Sequence, residues 1–397
     1  MEPQVGPPRP LGLADMENLP LELLGAIALE LPIADLRRFR LLGRRYAAAG
    51  FPALVQELSF LNTLDTADAL QTLSQSPYGS LGAAHHLAIY DGAWPVADSQ
   101  KEWERHLPSL SKGRDSTAAQ LAYQHYAQFI RQETSRTFET DVQLFRTVLT
   151  HFPSLRELTL SHIHAWRMRY QNDAHFRNLK NRIWVTPSFE SFVANAMSRL
   201  LPVLGTCPRL QRLNVDGFLD VRDLAPGQYR YKTIRHLCLN AVLAGEGLED
   251  SIANFLGTFP ELITLTIRTF PRGPISHQQL PLQQMRWSDL QFCDIIGTWV
   301  PENELFGFTE RHPLKRLTLK DVRLTSGSWK SFFSRARGLK PRPDILCQGI
   351  FHSKDEQGWP MEDFKSQRLL NWFLTNAEFP WPFPELDDDI PTFSLPL

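Results

Sequence analysis

Cysteine is scarce in this chain of 397 residues. Cys207, Cys238, Cys293 and Cys347 are the only four, 31, 55 and 54 residues apart. That spacing contains no Cys-x-x-Cys pair, so neighbouring thiols cannot assemble a zinc knuckle or a dithiol redox centre. Asn-x-Ser/Thr acceptors are absent. The opening MEPQVGPPRPLGLADMENLP lacks the basic segment and apolar run of a secretory signal. No apolar stretch approaches the ~18 residues that span a bilayer. Charge of one sign is also missing: 42 basic against 43 acidic residues leave a net charge of −1. Without a basic excess, neither nucleic acid nor a membrane surface is indicated as a partner. GxSxG, HExxH, P-loop and GxGxxG contexts do not occur, which removes the commonest catalytic and nucleotide-binding frameworks. His85-His86 and His162-x-His164 have no Cys or carboxylate at ligand spacing, so no metal is assigned, no cofactor is implied and no catalytic residue is named. These absences predict a thiol-reduced, non-enzymatic, intracellular protein, cytoplasmic and/or nuclear.

What is present is apolar residues at 43% and a length that suits roughly two to three domains with a real core. From about residue 141 the chain repeats a Leu-x-x-Leu-x-Leu unit. It reads Leu155, Leu158, Leu160; then Leu210, Leu213, Val215; then Ile234, Leu237, Leu239; then Leu262, Leu265, Ile267. A weaker copy is Trp287, Leu290, Phe292, and a clear one is Leu314, Leu317, Leu319. First positions lie 55, 24, 28, 25 and 27 residues apart, and helical segments precede several copies. A period of 20 to 29 with this pattern is the leucine-rich-repeat signature, one strand and one helix per unit. The expected fold class is therefore α/β, an irregular leucine-rich-repeat solenoid with a parallel sheet, behind a small helical module. Its expected organisation is a flexible leader at 1–14, helices at 15–56, and a linker or first irregular units at 57–140. The repeats follow at 141–345, then a cap and Pro-rich acidic tail at 346–397. Residues 95–118 read as loop and 119–132 as helix.

The helical module carries an ordered set of positions. Leu19-Pro20-x-Glu22-Leu23-Leu24-x-x-Ile27 is followed by Leu31-Pro32, by Asp35-Leu36 and by Arg44-Arg45-Tyr46. Leu23, Leu24, Ile27 and Leu31 form one apolar stripe at helical spacing, and Leu36, Phe39 and Leu42 a second. A module of about 35 residues cannot bury all of this alone, so a partner helix or groove is expected to cover it. These residues resemble an F-box, over roughly a tenth of the chain. The chain departs from that motif at Leu42-Gly43-Arg44, where Val-Ser/Cys-Arg is usual; Gly43 is expected to weaken a helix by up to ~1 kcal/mol. The layout is similar to fungal F-box proteins with leucine-rich repeats. The resemblance implies docking to a Skp-type adaptor and, through it, a cullin–RING ubiquitin ligase. Leu19, Pro20, Glu22, Leu23, Leu24, Ile27, Leu31, Pro32, Asp35, Leu36 and Arg44 would form the docking motif, and the repeats would capture a protein substrate. A repeat scaffold without a ligase role is the competing expectation.

For that substrate surface the candidates are Arg156, Arg212, Arg235, Arg268 and Arg316, which lie between or beside the leucines. Arg212, Arg235 and Arg316 are expected to share the register just before the second apolar position. Such a ladder suits an acidic or phosphorylated partner. Separate solvated charges are the competing reading.

Overall fold

The computed structural model describes residues 18–74, 84–107, 116–162, 174–187, 194–224, 229–244, 247–271, 279–351, 359–360, 364–376, 378 and 380–382. The leader at 1–14, His164 and the acidic tail residues Glu385, Asp387, Asp388 and Asp389 lie outside them.

Three short helices open the chain: α1 (Leu21–Glu30), α2 (Ile33–Arg40) and α3 (Arg44–Val55). The two Leu-Pro steps do the same job. Pro20 stands immediately before α1, and its carbonyl accepts from Leu23 and Leu24; Pro32 stands before α2 and accepts from Asp35 and Leu36. Proline's missing N–H costs nothing at a helix start. Gly43 occupies the equivalent place before α3, in extended backbone, rather than sitting inside a helix. The helix-interior penalty expected of it therefore does not apply, because glycine is tolerated at an N-cap.

Strand β1 (Glu57–Leu61) and helix α4 (Leu64–Ser74) follow, then β2 (His86–Asp91). A helical stretch comes next: α5 (Gln100–Arg105), α6 (Ser116–Thr134) and α7 (Phe138–Thr150). Helix α5 lies inside 95–118, which sequence reading leaves as loop. Its start is marked by Ser99, whose hydroxyl accepts from Glu102 N, while the Glu102 carboxylate accepts from Asp98 N. That reciprocal arrangement resembles the Ser-x-x-Glu capping box.

Beyond it the elements alternate. Strand β3 (Glu157–His162) precedes α8 (Ala174–Ile183) and α9 (Ala194–Leu200), then come β4 (Arg212–Asp216) and β5 (His236–Ala244). Helix α10 (Glu249–Leu256) leads to β6 (Thr264–Pro271), β7 (Phe292–Ile296) and the short β8 (Trp299–Pro301). Helix α11 (Glu302–Arg311) precedes β9 (Arg316–Lys320) and β10 (Arg323–Ser326), and α12 (Trp329–Ala336) precedes β11 (Asp344–Gln348). The two-residue strands β12 (Ile350–Phe351) and β13 (Trp359–Pro360) pair antiparallel, and α13 (Phe364–Thr375) follows.

The architecture is α/β. Nine strands form one parallel sheet in the order β1-β2-β3-β4-β5-β6-β7-β9-β11, so each new strand is laid beside the one before it; β8 and β10 pair separately. Register is continuous across the sheet through the first residues of each strand; β5 and β6 slip by one residue beyond Leu239. Leu58, Leu87, Leu158, Leu213, Leu237, Leu265, Cys293, Leu317 and Ile345 stand in one row. Two residues on, Phe60, Ile89, Leu160, Val215, Leu239, Ile267, Ile295, Leu319 and Cys347 form another. Alternate strand residues share a face, and both rows belong to the main core, with Phe145 of α7, Met197 of α9, Phe255 of α10, Phe308 of α11, Phe332 of α12 and Phe373 of α13. Each fully buried Leu or Phe contributes about 1.5–3 kcal/mol.

The row corrects one repeat copy. The inward residues of β7 are Cys293 and Ile295, preceded by Leu290, so the true triplet is Leu290, Cys293, Ile295 rather than Trp287, Leu290, Phe292. Phe292 points away and is partly exposed. Two further triplets, Val55-Leu58-Phe60 and Ala84-Leu87-Ile89, put β1 and β2 in the same sheet; the sequence reads LSFLNTLDTADALQTL as a strand then a helix and HHLAIYDG as a short strand, and β1, α4 and β2 stand at those places.

At its first strands the sheet is covered on its other face too. Leu61, Ala88 and Tyr90 pack under Trp103 of α5, Tyr126 and Phe129 of α6, and Leu179 and Ile183 of α8. Trp103 is fully buried and its indole donates to the Ile183 carbonyl (3.2 Å). At the opposite edge, α13 lies beside β11, and the Gln367 side chain joins the strand. Its Oε1 accepts from Cys347 N (2.8 Å) and its Nε2 donates to Ile345 O (3.0 Å). Among the cysteines Cys207, Cys293 and Cys347 are buried. Burial pushes the Cys207 thiol up to about 11, so it stays protonated at neutral pH.

Candidate functional site

The helical module closes its own small core. Leu24 and Ala28 of α1, Leu36 and Phe39 of α2, and Tyr46 and Ala49 of α3 are buried together, with Leu19, Ile27 and Leu31 partly buried around them. Phe39 and Tyr46 meet edge to face at 5.2 Å. The Arg45 guanidinium donates to the Leu19 carbonyl and ties the start of α3 back to the first turn. Arg44 itself is exposed, as are Pro20, Glu22, Pro32 and Asp35; Asp35 pairs with Arg38 at 3.2 Å.

The expected apolar stripe therefore splits. Leu24 turns in, whereas Leu23 is 51% exposed beside Leu21. Leu42, expected beside Leu36 and Phe39, is 53% exposed, Leu41 is 85% exposed, and Leu29 and Ile33 are exposed as well. This concentration of large aliphatic side chains in about 20 residues of chain is unlike the scattered exposed hydrophobics elsewhere, such as Leu121 and Trp372. The module is also attached to the sheet. Phe51 and Val55 at the end of α3 pack into the main core, and the Arg40 guanidinium stands 5.7 Å from the Phe51 ring.

The outward face of β4 to β11 is polar. Asn214 Nδ2 donates to Glu157 Oε1 (2.7 Å), Ser161 Oγ to Asp216 Oδ2 (3.2 Å) and Thr266 Oγ1 to Asp294 Oδ2 (2.9 Å). All five candidate arginines are exposed, but they do not form a ladder. Arg212 and Arg316 share a row, with His236, Thr264 and Phe292 between them. Four strand steps separate the two arginines by about 19 Å. Arg235 is one residue out of that row: its carbonyl accepts from Ile263 and Thr264, and His236 is the partner of Arg212. Arg156 precedes its strand in the same way as Arg235, and Arg268 lies midway along β6, opposite Ile296. The shared row is of mixed charge: Arg212 approaches Glu157 at 3.8 Å and Arg316 approaches Asp344 at 3.6 Å. The His236 imidazole is held below its ordinary range, chiefly by burial and further by Arg212 and Arg235. The row offers no concentrated positive field.

A buried charge network, invisible to motif reading, closes the carboxyl ends of β1 and β2. Arg136 donates to Asp141 Oδ1 (2.8 Å), Glu133 Oε2 (2.9 Å), Asn62 Oδ1 (2.8 Å) and the Asn62 carbonyl (3.1 Å). Arg199 Nη1 lies 3.0 Å from Asp141 Oδ2, and Asn62 Nδ2 donates to Asp91 Oδ1 (3.0 Å). Burial raises the carboxyls of Asp91 and Glu133 above the ordinary carboxylate range. Among the described residues no group of three or more His, Cys, Asp and Glu is placed to hold a metal ion, and no helix is long and apolar enough to cross a membrane. In comparison with known proteins, the sequence matches no family profile and no curated relative.

Proposed function

We propose that the chain is a substrate-recognition subunit of a cullin–RING ubiquitin ligase. In this reading α1 to α3 form an F-box that docks a Skp-type adaptor, and the sheet is an irregular leucine-rich-repeat solenoid that holds a protein substrate. One observation carries it: Leu21, Leu23, Leu29, Ile33, Leu41 and Leu42 are exposed on a module whose own core is already closed. Apolar surface left over after a core has formed is surface for a partner. Its position supports the reading, since Phe51 and Val55 join the module to the main core at the first edge of the sheet. Sequential strand order and the repeated inward triplets support the solenoid. On this reading the chain contributes positioning, and the ubiquitin-transfer chemistry belongs to its partners.

Co-purification of the full chain with a Skp-type adaptor and a cullin tests it. The wild type is expected to retain both, and Leu23→Glu with Leu41→Glu to lose both while remaining folded, since neither side chain is in the core. Leu19→Ala with Pro20→Ala should weaken capture through the α1 entry. Retention of neither partner by the wild type sinks the proposal. Retention of the adaptor alone would favour a scaffold without a ligase role.

A further inference from the structure

The charge network at β1 and β2 does not balance. It holds two guanidiniums, Arg136 and Arg199, against three carboxylates. Arg136 is matched to Glu133 and Asp141, and Arg199 to Asp141. Asp91 is left over. It accepts from the Asn62 amide and from Gly92 N–H, and the positive charges of Arg136 and Arg199 reach it only from beyond ion-pairing distance. Asp91 opens onto a cleft of about 170 Å³ lined also by Asn62, Trp94, Glu133, Arg136 and Arg199. Phe129 braces the Trp94 ring edge to face at 4.8 Å. Asp91 is the last residue of β2, so the cleft lies where open α/β sheets bind their ligands, beyond the carboxyl ends of the strands.

We propose that this cleft binds the protonated head group of a basic side chain, a lysine ammonium or an arginine guanidinium, donated by a partner polypeptide. Asp91 supplies the counter-charge, and the Trp94 ring supplies an aromatic wall of the kind that attracts cations. An anion is disfavoured because both guanidiniums are already paired directly to Glu133 and Asp141, so a further negative charge would add to three carboxylates set against two guanidiniums. The size fits a single head group and falls below the ~300 Å³ at which sites for whole small molecules begin. Desolvation costs a buried carboxylate heavily unless it is paired, and an incoming cation supplies the direct pair that Arg136 and Arg199, engaged with Glu133 and Asp141, do not. The inference does not depend on what the N-terminal helices bind.

Saturation-transfer NMR on the full chain tests it, with N-acetyl-lysinamide, N-acetyl-argininamide and the uncharged N-acetyl-norleucinamide as probes. At least one cationic amide is expected to show transfer and the neutral one none; the stronger cationic signal identifies the head group. Asp91→Asn, which keeps its shape and can still accept from Asn62, should weaken binding by about tenfold or more. Trp94→Leu should weaken it as well, and circular dichroism establishes that each variant is folded. Failure of both cationic amides, equal transfer from the neutral one, or undiminished binding by Asp91→Asn overturns the proposal. If Asp91→Asn does not fold, Trp94→Leu decides, and undiminished binding there overturns it equally.

Discussion

The two ends of the sheet are built from the same triplet and covered differently. In β2 the burial pattern runs almost unbroken, with Leu87, Ala88, Ile89 and Tyr90 all buried. In β4, β7 and β9 only alternate residues are buried. Parallel strands enclosed on both faces read as continuous apolar runs, and strands enclosed on one face read as alternation. The cause is the length of chain between strands. From β4 onward the triplets are 24 to 28 residues apart, enough for one helix on one side. Between β2 and β3 the chain spends far more, and α5 and α6 are placed on the second face. Extra sequence has been converted into a second core, and the charge network sits at that core's rim.

Removing Trp103 should break this contrast most severely. Trp103→Ala is expected to cost about 3–5 kcal/mol, read as a lower urea midpoint. Asp216→Ala, on the open face two strands from Tyr90 in the same row, should fall within about 0.5 kcal/mol. Equal midpoints for the two variants would mean that the second core adds nothing. Next comes Arg136→Ala, which leaves the buried Glu133 carboxylate without its guanidinium and Asp141 with Arg199 alone. Breaking such a pair costs about 3–5 kcal/mol, in part through Asp141, which is 1% exposed. Its loss should grow with pH above the carboxylate range, and a flat pH response would refute the network's role.

The smallest expected effect lies at the regular end, where His312 is buried beneath the sheet. Its Nδ1 donates to Phe308 O (2.7 Å) and its Nε2 accepts from Trp287 N (3.2 Å). Burial, then Arg311 and Arg286, hold this imidazole below its ordinary value of 6.5. The unfolded chain takes up a proton first as pH falls, so the stability tied to neutral His312 is present above pH 6.5 and lost below it. The His312 share of the stability should therefore decline between pH 7 and 5, while the carboxyls of Asp91 and Glu133, raised by burial, act in the opposite sense. Over that range the melting temperature of His312→Gln, with one fewer titrating group, should fall less or rise more than that of the wild type; an unchanged slope would acquit His312.

Much of the sheet was legible because leucines three and two apart at a near-constant period leave little choice of face. Leu158, Leu213, Leu237, Leu265 and Leu317 all fall at inward positions. The failures have local reasons. The strand and helix legible in LSFLNTLDTADALQTL and the short strand in HHLAIYDG are present as β1, α4 and β2; only their place in the repeat was hidden, since Val55-Leu58-Phe60 and Ala84-Leu87-Ile89 stand 29 residues from each other and 71 before the next triplet. At β7 both Trp287-Leu290-Phe292 and Leu290-Cys293-Ile295 satisfy an apolar template, and only strand pairing selects the second. The arginine ladder failed because register is exact to one residue and Arg235 precedes its row by one. In the helical module the buried face was partly legible, whereas the outward set of Leu21, Leu29, Ile33 and Leu41 carried no motif. The network of Asn62, Asp91, Glu133, Arg136, Asp141 and Arg199 joins residues far apart in sequence, and no spacing could announce it.

Gln367 has a consequence for the behaviour of the protein in a crowded solution. A parallel sheet that grows one strand at a time has an end at which another chain could continue the ladder, and such ends seed aggregation. At β11 the side-chain amide of Gln367 already occupies the Cys347 donor and the Ile345 acceptor, imitating one residue of a further strand. An intruding strand would have to evict that amide before gaining its first hydrogen bonds, so a single glutamine gives the growing end a threshold against polymerisation.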